Sequence, residues 1–186
     1  MNIAEMKAVV KEIITKTDYV PCIIGAQGIG KSEAQRQIAK ELSEETGQEW
    51  GFRVLNLASM EPTDLMGIPV ADHTTGTSKF IPPAMIPWEE NVKAGLYPER
   101  GILVLDELNR VQPMNRSAVL NLLNEKQVNT FKLPPGWKIT VTINPNVEGF
   151  NVHELDLAEH SRLIELVVHP DEDVWLQYAY ARAEGA

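Results

Sequence analysis

The residues GAQGIGKS, at positions 25–32, constrain the fold more than any other part of this sequence. They match the pattern G-x-x-x-x-G-K-[ST], which a random chain of this length contains with a probability below about 1%. An apolar run typical of a buried strand precedes them, and a stretch with Ala34, Ile38 and Leu42 on one helical face follows. This context favours a phosphate-binding loop, whereas the alternative is an ordinary glycine-rich turn with an exposed lysine.

Each residue type in this loop has a chemical reason. Glycines let backbone N–H groups approach a polyphosphate without side chains in the way. Lys31 can place its positive charge at the β- and γ-phosphates, and the hydroxyl of Ser32 can ligate Mg²⁺. We therefore predict that all eight residues bind the nucleotide: Gly25, Ala26, Gln27, Gly28, Ile29, Gly30, Lys31 and Ser32.

The rest of the sequence alternates between strand and helix patterns. Short apolar runs predict strands at 19–25, 52–57, 102–105 and 139–143, and helical patterns separate several of them, notably at 115–126. Strands that alternate with helices pair in parallel, and the helices cover both faces of the sheet. We therefore predict an α/β fold, a three-layer α/β/α sandwich with a mainly parallel sheet.

Two acids directly follow the third predicted strand. The run ILVL at 102–105 has no alternation, so we expect burial on both faces, with Asp106 and Glu107 at the carboxyl end, where parallel sheets bind ligands. Beside a triphosphate, we predict that Asp106 helps to hold Mg²⁺ and that Glu107 polarises the attacking water. The alternative is an acidic turn after a core strand.

Charge and cysteine content narrow the range of partners. Seventeen basic and 26 acidic residues give a net charge of -9, the wrong sign for neutralising a phosphate backbone, so we predict no nucleic-acid partner. The single cysteine, Cys22, permits no internal disulfide and no cysteine-based zinc site, which favours a reducing, cytoplasmic location. The histidines His153, His160 and His169 lack the spacing of metal ligands.

Residues 1–18 predict an amphipathic helix, because their apolar residues recur at helical spacing and charged residues interrupt any signal-peptide-like run. No segment approaches 18 consecutive apolar residues, so we expect no membrane span. Residues 61–87 hold five of the twelve prolines, and two short apolar pieces, GIPV and KFI, flank a turn-rich string. This pattern favours a protruding hairpin, and the alternative is a surface connection without a role.

Five strings occur in an order that resembles the AAA+ ATPases, most closely their MoxR-like branch and its dynein-related cousins. They are GAQGIGKS, EPTDLMG at 61–67, ILVLDELNR at 102–110, LNLLNEKQV at 120–128 and VTINPN at 141–146. The resemblance spans nearly the whole chain. It implies an AAA+ core at 19–170 that binds ATP and Mg²⁺ and hydrolyses ATP. It also implies that 61–87 is an inserted hairpin facing a ring's pore or its substrate.

The resemblance implies roles for further residues. Asn144 matches the position that helps to place the attacking water, while the alternative is a strand-end turn formed with Pro145. Arg162 matches the arginine that reaches into a neighbouring subunit's site, while the alternative is a surface arginine. Asn56 is a candidate to restrain Glu107 until a partner binds. Tyr19 and Val20 precede the first strand, where the family closes over the adenine.

A homo-oligomer, a hexameric ring in this family, follows from the resemblance, as does a protein substrate. The family also has a helical lid after the core, of which residues 171–186 carry only a single helical pattern, so we expect the lid to be largely absent. The leading hypothesis is an ATPase that remodels a protein partner. A nucleotide-dependent assembly or switch subunit is the second. A phosphoryl-transferring kinase is the third, which the scattered cations between Asp106 and Pro145 disfavour.

Overall fold

The computed structural model describes residues 1–145 and 162–184. The strands in chain order are β1 (Val20–Ile24), β2 (Trp50–Asn56), β3 (Ile68–Asp72), β4 (Thr77–Ile81), β5 (Arg100–Asp106), β6 (Gln127–Val128), β7 (Phe131–Lys132), β8 (Trp137–Ile143) and β9 (Leu163–Val167). The α-helices are α1 (Ile3–Lys16), α2 (Lys31–Thr46), α3 (Pro62–Met66), α4 (Glu89–Lys93), α5 (Arg116–Glu125) and α6 (Glu172–Glu184). Two short 3₁₀ helices lie at Leu108–Arg110 and Pro113–Asn115.

Five strands form the central sheet in the order β2-β5-β8-β1-β9, and every pairing is parallel. The predicted α/β fold with a mainly parallel sheet is thereby confirmed. Four of the strands match the predicted apolar runs, with boundaries that differ by a few residues. The fifth, β9, lies at the sheet edge beside β1, and the sequence pattern did not predict it because Glu165 interrupts its short apolar run.

Two hydrophobic clusters lie on opposite faces of this sheet. Alternate residues of β5 point to different clusters: Leu103 and Leu105 pack with α5, whereas Ile102 and Val104 pack with α1 and α2. All four side chains are fully buried, as the missing alternation in ILVL predicted. The helices therefore cover both faces, and the carboxyl end of β5 emerges from a strand that has no contact with solvent along most of its length.

The parallel register brings four chain segments to one edge of the sheet. Asn56 pairs with Asp106, and Ile24 pairs with Ile143, so β1, β2, β5 and β8 all end there. The backbone N–H of Gly25 donates to the carbonyl of Ile143 at 3.2 Å, which carries the β1–β8 pairing into the loop after β1. This edge is where the predicted site residues converge.

The N-terminal helix α1 packs against α2. A capping box between Asn2 and Glu5 begins it, and its buried residues lie at the predicted helical spacing. The ammonium of Lys7 lies 2.7 Å from the carboxylate of Glu41 on α2. Across residues 1–145 and 162–184, no helix is long and apolar enough to cross a membrane.

A two-stranded antiparallel hairpin, β3–β4, projects from the segment between β2 and β5. Gly67 precedes it with φ +77, and a Cβ there would lie 2.3 Å from the carbonyl oxygen of Ile81, so only glycine fits this closely packed root. The side chains of Ile68, Phe80 and Ile81 are exposed to solvent. The segment 61–87 thus contains a hairpin with an apolar surface.

Candidate nucleotide-binding site

The loop between β1 and α2 has the backbone that a phosphate cradle needs. Gly28 and Gly30 adopt φ of +83 and +94, which side-chain-bearing residues rarely do. Gly30 is the N-cap of α2 and supplies no capping side chain, so the N–H groups of the first helical turn remain open to an anion. At Gly25, a Cβ would lie 2.6 Å from the Cδ1 of Ile29 and 2.9 Å from the carbonyl of Val168. The glycines therefore let the chain turn tightly against β9.

Lys31 lies at the centre of this loop, with only 7% of its surface exposed. Its Nζ donates to the carbonyls of Gly25 at 2.7 Å and Ala26 at 2.9 Å, and to Oδ1 of Asn144 at 2.8 Å. Burial lowers the pKa of Lys31, while Asp106 and Glu107 act in the opposite direction by attracting its charge. The lysine is a positive charge held in place by neutral oxygens and two nearby acids.

A buried polar pair anchors α2 to the sheet. The side chain of Gln35 donates to the carbonyl of Lys31 at 3.3 Å, and the hydroxyl of Thr140 on β8 donates to Oε1 of Gln35. Both side chains are fully buried, where an unpaired polar group costs about 1–3 kcal/mol. This pair fixes the first turn of α2, and with it Lys31, against β8. The sequence did not predict it, since nothing local shows that the two residues meet.

Asp106 ends β5 and is half-buried. Its Oδ1 accepts a hydrogen bond from the hydroxyl of Thr142 on the neighbouring strand β8. The register explains this contact, because Leu105 pairs with Val141. Thr142, which the sequence did not predict as a site residue, therefore orients one oxygen of Asp106.

Glu107 has a strained backbone and a firmly held side chain. Its φ of 58 and ψ of 45 lie in the left-handed region, which costs a residue other than glycine about 1–3 kcal/mol. Its Oε1 accepts from Nδ2 of Asn144 at 2.9 Å and from the guanidinium of Arg110 at 3.1 Å. Only 12% of the Glu107 side chain is exposed. Arg110 was not predicted as a site residue, although its position three residues after Glu107 permits the contact.

Asn144 joins the two halves of the site. Its Oδ1 accepts from Lys31 and its Nδ2 donates to Glu107, while its own carbonyl accepts from Nδ2 of Asn109 at 2.9 Å. The alternative of a plain strand-end turn leaves this side chain without a reason to point inwards. The structure therefore brings together the loop lysine, the strand-end amide and the acid.

Other predicted residues lie at varied distances from this centre. Ser32 lies in the first turn of α2 and is partly exposed beside the loop. Arg162 lies outside the centre. It directly precedes β9, at the amino-terminal ends of the strands, where its guanidinium donates to the carbonyl of Asn124 at 3.1 Å. Of the three histidines considered above as metal ligands, His153 and His160 fall outside the described residues, and His169 follows β9.

One expectation needs correction. Asn56 does not restrain Glu107, because the Asn56 side chain accepts from the backbone N–H of Ala58 at 3.1 Å and the acid is held by Arg110 and Asn144. Tyr19 directly precedes β1, and its side chain is exposed.

A cleft of about 850 Å³ opens on the outer side of the loop. Its lining includes Ile3 and Lys7 of α1, Gln27 of the loop, and Trp175 and Tyr178 of α6. Aromatic and aliphatic side chains beside a polar loop are the usual lining of a small-molecule pocket. The sequence gave no local signal for this cleft, since its walls come from both ends of the described chain.

The donor set fits Mg²⁺ held together with a nucleotide. Among the described residues, no group of three or more His, Cys, Asp and Glu side chains could hold a metal by itself. Magnesium in such sites takes one or two protein oxygens and completes its shell with phosphate oxygens and water. The hydroxyl of Ser32 and the carboxylate of Asp106 are hard oxygen groups of the kind that Mg²⁺ binds, and both lie near the carboxyl ends of the strands.

A parallel sheet with a glycine loop, a buried lysine and an acid pair defines the P-loop class of nucleotide-binding domains. The family described as AAA domain (dynein-related subfamily) matches residues 21–143, and the chain belongs to this family. That range includes the loop, both acids and the strand preceding Asn144.

Two solved structures share the fold. One is a candidate ATPase from Cytophaga hutchinsonii, with a TM-score of 0.61 and 21% identity, over 94% of this chain and 48% of that one. The other is NtrX from Brucella abortus, with a TM-score of 0.54 and 17% identity, over 89% of this chain and 35% of that one. This chain therefore spans half or less of either protein. No sequence among the curated proteins matches it.

Proposed function

We propose that this protein binds ATP and Mg²⁺ and hydrolyses ATP to ADP and phosphate. One observation carries the proposal: Asn144 links Lys31, the lysine of the phosphate loop, to Glu107, the acid after β5. Phosphate loops of this kind bind nucleoside triphosphates, and here a candidate phosphate-binding cation and a candidate base are hydrogen-bonded to the same amide group. Family membership supports the proposal, because AAA domains are nucleotide-binding ATPase domains.

Each residue then has a distinct chemical role. The backbone N–H groups of Gly25, Gly28 and Gly30 and their neighbours bind the triphosphate, and Lys31 leaves the loop carbonyls to contact the β- and γ-phosphates. Ser32 and Asp106 would hold Mg²⁺, which neutralises charge on the phosphate oxygens when bound. The fully charged triphosphate thus meets positive groups on several sides.

Glu107 is the proposed base: it takes a proton from the attacking water while the water oxygen bonds to the γ-phosphorus. The bond from that phosphorus to the β,γ-bridging oxygen breaks, and ADP leaves. Oε1 already accepts from Asn144 and Arg110, so Oε2 is the oxygen left for water. Asn144 is the proposed positioning group, because one amide contacts both the lysine and the acid. The adenine is proposed to enter the cleft between α1 and α6 rather than to approach Tyr19.

Arg162 is proposed to act on a neighbouring subunit's nucleotide. It lies at the start of β9, which is aligned with the start of β1, whereas the phosphate loop follows the end of β1. An arginine there cannot reach its own chain's phosphates, so a homo-oligomer, such as the family's hexameric ring, would complete each site. We also propose, from the family resemblance, that turnover remodels a protein partner and that the exposed hairpin β3–β4 contacts it.

A nucleotide-dependent switch is the second candidate. The same placement of Arg162 favours it, since an isolated subunit lacks a cation in trans and would bind ATP with little turnover. A phosphoryl-transferring kinase has less support. The cations after Asp106 do cluster in part, contrary to the sequence-based expectation, because Lys126 and Lys138 line one cavity. They do so far from the phosphate loop, however, where they cannot hold a phosphoryl acceptor.

Phosphate release per subunit, measured against protein concentration, tests the proposal. An ATPase whose site is completed in trans gains turnover per subunit as the subunits associate, and the particle size rises with ATP and Mg²⁺. A flat, near-zero rate accompanied by ATP-dependent association would favour the switch. Consumption of ATP only with an added metabolite, without phosphate release, would favour the kinase.

A further inference from the structure

Three cations lie together at the amino-terminal ends of the central strands. Lys126 follows the last residue of α5, in the left-handed conformation with φ 52. Lys138 is the second residue of β8, and Arg162 directly precedes β9. These three residues, here called the cluster, come from separate parts of the chain. None of them contacts Lys31, Glu107 or Asn144 of the same chain.

Hydrogen bonds and a shared cavity place these three cations close to one another. Lys126 and Lys138 line the same small cavity, together with Asp18 and Val20. The backbone N–H of Val20 donates to the carbonyl of Arg162 at 3.0 Å, and the guanidinium of Arg162 donates to Asn124, two residues before Lys126. The start of β1 is thus the shared neighbour of all three cations.

Their charge is poorly compensated within the described residues. None of the three has a carboxylate oxygen within 4 Å there, whereas Lys7, Lys11 and Lys16 of α1 all do. Burial lowers the pKa of Lys126, Lys138 lowers it further and Arg162 adds to this, while Asp18 opposes them. In a protein with a net charge of -9, a local excess of positive charge indicates a place where an anion is stabilised.

The end of α5 explains only part of this arrangement. Carbonyls at a helix C-terminus attract cations, and the bond from Arg162 to Asn124 is of that kind. Lys138 belongs to a strand and has no such partner among the described residues, yet it lines the same cavity as Lys126. Helix capping therefore does not account for the third cation.

We propose that Lys126 and Lys138 complete, with Arg162, an anion site that takes the terminal phosphates of a nucleotide bound by a second copy of this chain. The proposal rests on the proposed function and adds two residues to it. The five residues of β1 separate the cluster from the same chain's phosphate loop by roughly 16 Å, so the cluster cannot contact its own nucleotide. Arginine pairs with two phosphate oxygens at once, and lysines add point charges, which suits a terminal phosphate group.

Mixing two inactive variants tests the proposal. In Lys126→Ala/Lys138→Ala the nucleotide site is intact and the cluster is lost, and we expect turnover about 100-fold below the parent protein with ATP binding kept. In Lys31→Ala the cluster is intact and the site is lost. Mixed, the two should regain turnover far above the sum of the separate rates, because one copy supplies the site and the other the cations. Lys132→Ala, an exposed lysine nearby, is the matched control and should keep the parent rate.

Failure of the inference is distinguishable from failure of the proposed function. If the parent protein hydrolyses ATP and the double variant does so at the same rate, the inference is wrong and the function stands. The same holds if the folded double variant is inactive and Lys31→Ala does not restore it. If the parent protein releases no phosphate at any concentration, the hydrolytic function is wrong. Association in ADP with aluminium fluoride, by sedimentation, then decides the inference: it should occur in the parent and be lost in the double variant, and equal behaviour overturns it.

Discussion

Asn144 donates a hydrogen bond of 2.9 Å to Glu107, through the same amide group that accepts one of 2.8 Å from Lys31. A single side chain thus contacts both the proposed phosphate-binding lysine and the proposed catalytic acid. If phosphates draw Lys31 towards them, the amide loses one partner and can rotate about the bond that remains. This relationship underlies the predictions for the site.

Replacing Asn144 with alanine removes both contacts. We expect kcat to fall roughly 10- to 100-fold, because the water and the acid lose a common positioning group, while the Kd for ATP changes little. Phosphate release and equilibrium binding of a fluorescent ATP analogue measure the two effects. A large loss of ATP binding with normal kcat would instead assign Asn144 to nucleotide binding alone.

Arg110 and Asn56 form a matched pair for testing what holds Glu107. Because Arg110 contacts Glu107 at 3.1 Å and Asn56 contacts its own loop, Arg110→Ala should lower kcat about 10-fold and Asn56→Ala should change it less than about twofold. Neither should alter the KM for ATP much. Equal losses in the two variants would contradict the observed arrangement. Arg110→Lys, which keeps the charge, should recover part of the loss if charge rather than fork geometry matters.

We expect Lys31 to lower the stability of the nucleotide-free protein and to be required for ATP binding. A lysine whose pKa is lower in the folded than in the unfolded protein destabilises the fold while charged. This penalty is present below the folded pKa and fades as pH rises from the folded to the unfolded pKa. Without nucleotide, the Tm of Lys31→Met should therefore equal that of the parent or exceed it by up to roughly 2–4 °C. The rise in Tm that ATP and Mg²⁺ give the parent should disappear. A lower Tm for the variant without nucleotide would show that the three hydrogen bonds of Lys31 outweigh its burial.

Cys22 should be inert in the folded protein. Burial raises the pKa of its thiol to about 12, with the charge of Glu165 on β9 adding to the effect. At pH 8 only about one thiol in 10⁴ is then ionised, and the side chain has no exposed surface. Alkylation by iodoacetamide should be at least about 100-fold slower than in denaturant. Rapid labelling under native conditions would mean that β1 separates readily from β9.

Local patterns were sufficient to predict most of the fold. The runs that became β1, β5 and β8 are short, apolar and next to glycine or acids, so their type and order could be read directly. The edge strand β9 could not be predicted, because Glu165 interrupts its apolar run. It also has only one neighbouring strand, so fewer of its residues are buried and apolar. The hairpin β3–β4 was visible because turn-forming residues lie between two apolar pieces.

The site could be predicted only where its residues belong to motifs that are contiguous in the sequence. The loop, Asp106 and Glu107 carry their own motifs, whereas Arg110 and Thr142 act through contacts that depend on strand register. Lys126 and Lys138 are twelve positions apart in sequence, and the short β6–β7 hairpin returns the chain so that both line one cavity. Such pairings depend on tertiary structure, which no local pattern contains.

The most direct test of the central claim compares bound ATP and released phosphate in Glu107→Gln. Glutamine keeps the size of the side chain and can still accept from Asn144, but it cannot take a proton from water. At a protein concentration where the parent turns over, the variant should retain ATP with a Kd close to the parent's. Its phosphate release should fall by about 100-fold or more. Turnover at the parent rate would contradict the role of Glu107, and loss of ATP binding would place this acid in nucleotide binding rather than in catalysis.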